Sequence, residues 1–263
     1  MASSETSITF LGTGTSVGVP VIGCDCPVCR STDERNIRTR SSLFVSTPKT
    51  KILIDSGPDL REQALREKIT TVDAVLYTHS HLDHVAGFDE LRAFCWSKQD
   101  PLPLYATESC LEVLKNMFGW AFHASNTYGG YVKPDAKIIS GPFKVDDVEI
   151  QPLPVIHGTV ETTGFRITTA DQYSFAYIPD VKSIPQSTLD LLSGLDLLII
   201  DSLREKPHST HLSLSEALEI SENLNPKQTI LTHISHELEH EALKCRLPDG
   251  VSPARDGMKL ILK

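Results

Sequence analysis

No apolar run in this 263-residue chain approaches the roughly 18 to 20 residues needed to cross a bilayer, which excludes a membrane-spanning helix. Met1 to Thr6 offers neither the basic start nor the apolar stretch of a secretory signal, so a cytoplasmic location is expected. Basic residues are short as well: 25 Lys and Arg face 34 Asp and Glu, a formal net charge of -9 with ten histidines counted neutral. That balance counts against broad, salt-driven binding to nucleic acid, which needs a basic face. It suits a metal site, whose carboxylates enter the sum without their cations. Low-complexity tracts, long charge blocks and linkers are absent, and the length fits one compact domain over residues 1–263.

Cysteine is sparse, six in all. Three stand together as Cys24, Cys26 and Cys29, and in a long chain expected in the cytoplasm such a cluster points to a metal rather than to disulfides. Cys95, Cys110 and Cys245 are scattered and read as small buried hydrophobes.

Short apolar runs predict strands at 7–11, 42–46, 51–55 and 74–77, then at 148–153, 164–168, 174–178 and 195–200. Helices are predicted over 58–68, over 108–118 with Thr107 as N-cap, and over 213–224. The segment 120–134 reads as a loop or insertion, and His123, Tyr128 and Lys133 in it are candidates for a substrate wall or lid.

The strongest chemical signal is Thr78-His79-Ser80-His81-Leu82-Asp83-His84, directly after the apolar run 74–77. Three imidazoles and a carboxylate in six residues at a strand end are hard to reconcile with packing, because buried polar groups need partners. As ligands they suit Zn, Mn or Fe, and one turn presenting them in both directions can serve two adjacent ions. A second cluster, Cys24-Asp25-Cys26-Pro27-Val28-Cys29, is one ligand short of a tetrahedral zinc site. His236, three residues after His233, is the preferred fourth ligand; His240 and Cys245 are weaker candidates.

The histidine motif resembles the H-x-H-x-D-H signature of the metallo-β-lactamase superfamily. The resemblance implies an α/β fold, the αββα sandwich, with the metal site at one edge of paired sheets. It further implies a His, an Asp and a His after second-half strands, matched here by His157, Asp180 and His233. One metal would then take His79, His81 and His157, the other Asp83, His84 and His233, with Asp180 bridging. Asp55, closing Ile52-Leu53-Ile54, matches an aspartate that orients ligands from behind, with a simple strand-end cap as the alternative.

With the cysteine cluster added, the chain resembles the cyclic phosphodiesterases of the carbon-phosphorus lyase pathway, which open a ribosyl cyclic phosphate. That likeness implies two catalytic divalent metals, Mn or Zn, one structural Zn, and hydrolysis of a small phosphodiester through a metal-bridging hydroxide. His211 would act with Asp83 in catalysis, as general acid or phosphate binder. Two other family readings use similar residues: the tRNA 3′-processing endonucleases, and the non-hydrolytic pyrroloquinoline-quinone biosynthesis B proteins. A homodimer is compatible with such relatives. Arg38 and Arg40 either grip a phosphate or, the preferred reading, brace the zinc loop or lie on the surface; His208 has no comparable context and reads as solvated.

Overall fold

A computed structural model describes residues 5–96 and 100–262. The first sheet is built from β1 (Ser7–Gly12), β2 (Ser42–Ser46), β3 (Lys51–Ile54), β4 (Ala74–Leu76), β5 (Leu102–Ala106) and β6 (Pro134–Ile138). The second holds β7 (Phe143–Val145), β8 (Val148–His157), β9 (Val160–Thr168), β10 (Ser174–Ile178), β11 (Leu197–Asp201), β12 (Gln228–Thr232) and β13 (Val251–Pro253). The chain then returns to the edge of the first sheet as β14 (Lys259–Ile261), giving orders β14-β1-β2-β3-β4-β5-β6 and β13-β12-β11-β10-β9-β8-β7.

Period-two alternation explains the layering. Ile52 and Ile54 of β3 enter the core between the sheets with Phe165, Phe175 and Ile199, while Leu53 points the other way, under the helices on the outer face. In β11, Leu197 and Ile199 face the first sheet and Leu198 and Ile200 the opposite helical layer. The result is the αββα arrangement. Among the described residues no helix is long and apolar enough to cross a membrane.

In each sheet the strands connected through helices run parallel: β3, β4, β5 and β6, and likewise β10, β11, β12 and β13. The carboxyl ends of those parallel strands share one edge of the sandwich, where α/β sheets place their ligands. Thr163 N–H donates to Thr78 O at 3.0 Å and pins the sheets together there. Residues 213–224 form the predicted helix as Leu214–Leu224, with Ser213 and Glu216 in a reciprocal capping box. Glu108–Met117 is likewise capped by Thr107. The 120–134 segment contains the helical turn Gly119–Phe122, and Phe122 stacks on Phe88.

Candidate metal centre

The turn leaving β4 buries His79 and His84, keeps Asp83 nearly buried and leaves His81 at the rim. His79 Nε2 lies 2.9 Å from His81 Nδ1, which lies 3.3 Å from His157 Nε2 at the end of β8. The second group gathers around His84 Nε2, with Asp83 Oδ2 and Asp180 Oδ2 each at 3.2 Å. Asp180 follows β10 and reaches both groups, its Oδ1 standing 3.3 Å from His233 Nε2 and 3.9 Å from His157 Nε2. Bonds of about 2.0–2.1 Å to a tetrahedral cation put donor atoms roughly 3.3 Å apart, so these spacings fit metal ligation.

Orphaned atoms make the same point. His84 Nε2, Asp180 Oδ2 and both ring nitrogens of His233 are buried without a hydrogen-bond partner, a costly state unless a cation completes them. Burial alone would strip the proton from His84, but Asp180, Asp55 and Asp83 overcome it and hold this imidazole well above its usual range. His233 is raised to about 9 in the same way, against burial and chiefly by Asp180. Asp180 is held well below the usual carboxylate range by His233 and His84 despite its burial.

Two of these rings are oriented from behind. His84 Nδ1 donates to Asp55 Oδ2 at 2.7 Å, and Asp55 is itself fixed by the Thr78 backbone N–H and hydroxyl, both at 2.8 Å. Asp55 thus holds the His84 ring as well as ending β3. His157 Nδ1 donates to the Thr210 carbonyl at 2.8 Å, leaving Nε2 for the site. Asp55 and His233 both adopt the left-handed backbone region, φ 63° and 56°, which non-glycine residues hold only when their surroundings enforce it. Below the turn two glycines let backbones touch: a Cβ on Gly57 would stand 2.2 Å from Asp83 O, and one on Gly87 2.0 Å from Gly57 O.

A cavity of about 470 Å³ opens above the two groups. His211 lines it with its ring stacked on His233 at 4.7 Å, and its Nδ1 donates to Asp201 Oδ2 at 2.8 Å. Asp201, fully buried at the end of β11, also accepts from the Val181 N–H at 3.1 Å. His123, Tyr128 and Lys133 do not line this cavity, contrary to the wall or lid expected of them; their segment packs on the helical face around Phe88.

The cysteine cluster closes on His236: its Nδ1 lies 3.3, 3.4 and 3.5 Å from the sulfurs of Cys24, Cys26 and Cys29. The Cys29 backbone N–H donates to Cys26 Sγ at 3.4 Å and is the chief reason that thiol falls to about 6. His240 instead faces Arg38, and Cys245 meets Glu241, so neither joins the cluster. Arg38 is buried away from the cysteine loop, donating to Thr13 Oγ1 and Ala254 O, each at 2.8 Å. Arg40 pairs with Asp59, and neither arginine lines the cavity.

The family model described as the beta-lactamase superfamily domain matches residues 50–234. The chain belongs to the beta-lactamase superfamily. Among solved structures, it is similar to a diphosphatase from the PhnP family, with 40% identity and a TM-score of 0.90 over 98% of this chain and 99% of that one. Zinc-bound PqqB from Methylobacterium extorquens shares the fold, with 22% identity and a TM-score of 0.80 over 97% of this chain and 100% of that one. A curated octanoyltransferase of Porphyromonas gingivalis is 37% identical over 96% of this chain, which spans only about half (51%) of that relative.

The superfamily's metal-binding hydrolase fold accounts for the clustering at the sheet edge. Three residues of the site escaped the sequence reading. Asp201 had the signal that exposes Asp55 and Asp180, an apolar strand ending in aspartate. Thr210 acts through backbone atoms, which carry no side-chain signature. His208 lines the cavity rather than facing only solvent.

Proposed function

We propose that this superfamily member is a binuclear metal-dependent phosphodiesterase acting on a small phosphorylated molecule, with cyclic sugar phosphates and nucleotides as the substrate class. The observation carrying this reading is the pair of donor groups joined by Asp180, with the His211–Asp201 pair on the same cavity wall. His79, His81 and His157 would hold one divalent ion, Zn or Mn, and Asp83, His84 and His233 the other, with Asp180 shared. Cys24, Cys26, Cys29 and His236 would hold a structural zinc. When bound, the catalytic pair supplies Lewis acidity to water and to a phosphoryl oxygen.

The chain's own groups align and move the protons. Asp83 lines the cavity; it would align the attacking water with phosphorus and take the proton that water loses as the new P–O bond forms. His211 has its Nδ1–H committed to Asp201, so Nε2 is the nitrogen left for the substrate. From Nε2 it donates a proton to the leaving oxygen as the P–O bond breaks. Asp201 fixes the ring's tautomer and angle. A P–O–P linkage is a second substrate class, supported by 40% identity to a diphosphatase over nearly the whole chain.

The test is elemental analysis paired with hydrolysis of bis(p-nitrophenyl) phosphate before and after loading with Mn or Zn. About three ions per chain with diesterase activity is the expected result. One ion per chain and no hydrolysis after loading would overturn the reading.

A further inference from the structure

We propose that His208 is a substrate-positioning residue that holds a phosphoryl group on the leaving side of the scissile bond, which makes a diphosphate linkage the preferred substrate. The inference rests on the phosphoryl-hydrolysis reading above and deepens it.

The cavity walls carry histidines, aspartates and the hydroxyls of Ser16, Thr159 and Thr210, with no lysine or arginine among the described residues. Any phosphoryl oxygen beyond the one being attacked must therefore be met by neutral N–H and O–H donors. His208 is set up as such a donor. The Thr210 backbone N–H donates to His208 Nδ1 at 3.3 Å, and the Thr210 hydroxyl lies 3.2 Å from the same nitrogen. A ring whose Nδ1 accepts must carry its proton on Nε2, so the free nitrogen is an N–H donor. Burial, then the charges of His211, Arg204 and Lys182, lower the proton affinity of this imidazole, in keeping with the neutral tautomer.

Position supplies the rest. Thr210 also holds His157 through its carbonyl, so one residue sets both the His157 ring and the His208 ring. The His208 ring lies 5.3 Å from that of His211, the group placed to protonate the leaving oxygen. A donor beside that acid, on the cavity wall, meets whatever the leaving oxygen is attached to. In a cyclic sugar ester that atom is carbon and offers nothing to an N–H; in a diphosphate it is phosphorus bearing acceptor oxygens.

The test compares wild type, His208→Ala and His208→Gln, each Mn-loaded, by titration calorimetry with inorganic phosphate and with methylenediphosphonate, a non-hydrolysable diphosphate. Metal content and melting temperature are measured alongside. Wild type is expected to bind the diphosphonate more tightly than phosphate. His208→Ala should lose roughly 5- to 10-fold in diphosphonate affinity, one hydrogen bond's worth, with phosphate affinity unchanged. His208→Gln, which keeps an N–H donor, should stay within about threefold of wild type. Equal weakening for both ligands, or no change for either, overturns the proposal. Because binding is read without turnover, a wild type that shows this pattern yet hydrolyses no phosphorus ester would sink the phosphodiesterase reading and leave the His208 site standing.

Discussion

The two ligand clusters of this molecule are built on opposite principles. The cysteine site takes three of its four donors from six consecutive residues on a loop outside the sheets, held by hydrogen bonds within that loop. The histidine–aspartate site gathers donors from the ends of β4, β8, β10 and β12, buries most of them, and backs its rings with Asp55 and Thr210. The first takes its three sulfurs from one short turn and needs the rest of the fold only to bring up His236. The second exists only when both sheets are in register, and it holds its donors in place at the cost of orphaned atoms and strained backbone.

That contrast can be broken at either end. The largest effect is expected for Asp180→Asn, which removes the carboxylate common to both groups. Losing several kcal/mol of charge stabilisation corresponds to a fall in kcat on the order of a thousandfold, together with fewer bound ions by elemental analysis. Next comes Asp201→Asn, which leaves every proposed ligand in place. Activity should drop roughly a hundredfold on substrates with an alkoxide leaving group and much less on p-nitrophenyl esters, whose leaving group needs little protonation. Equal losses on both would remove His211 as the acid.

Cys26→Ser should act in the opposite sense. One ion per chain is lost and the melting temperature falls by roughly 5 to 10 °C, the size of a loss of about 2 to 3 kcal/mol in a chain of this length, while bis(p-nitrophenyl) phosphate hydrolysis at permissive temperature changes little. The smallest effect is in pH. His233, raised to about 9 in the metal-free fold, stabilises that fold fully below its unfolded value near 6.5, and the contribution fades as pH rises through about 9. Metal-free protein should therefore melt progressively lower between pH 6.5 and 9.5, whereas loaded protein, whose His233 is already deprotonated, should not.

Much of this was legible in the sequence because side-chain chemistry and period-two apolar runs are local signals. The motif 79–84, the cysteine triplet and the Thr107 cap of Glu108–Met117 needed no knowledge of the fold. β8 was harder: Pro152 and Pro154 argue against a strand, yet it continues to His157. β7 pairs only with Val148, Glu149 and Ile150, so both prolines lie beyond its reach, where a missing N–H costs little. Thr210 was hidden because its carbonyl serves His157, 53 residues away, and His208 because only the folded loop brings it to the cavity.

His79 and His81 join His157, Asp83 and His84 join His233, and the three cysteines join His236, so all three groups unite the first half of the chain with the second. Ions seated there would act as rivets across the sandwich. Prying the sheets apart would require breaking coordination bonds at every one of them, and a chain cut between β6 and β7 should reassemble from its halves far more readily with metal present than without it.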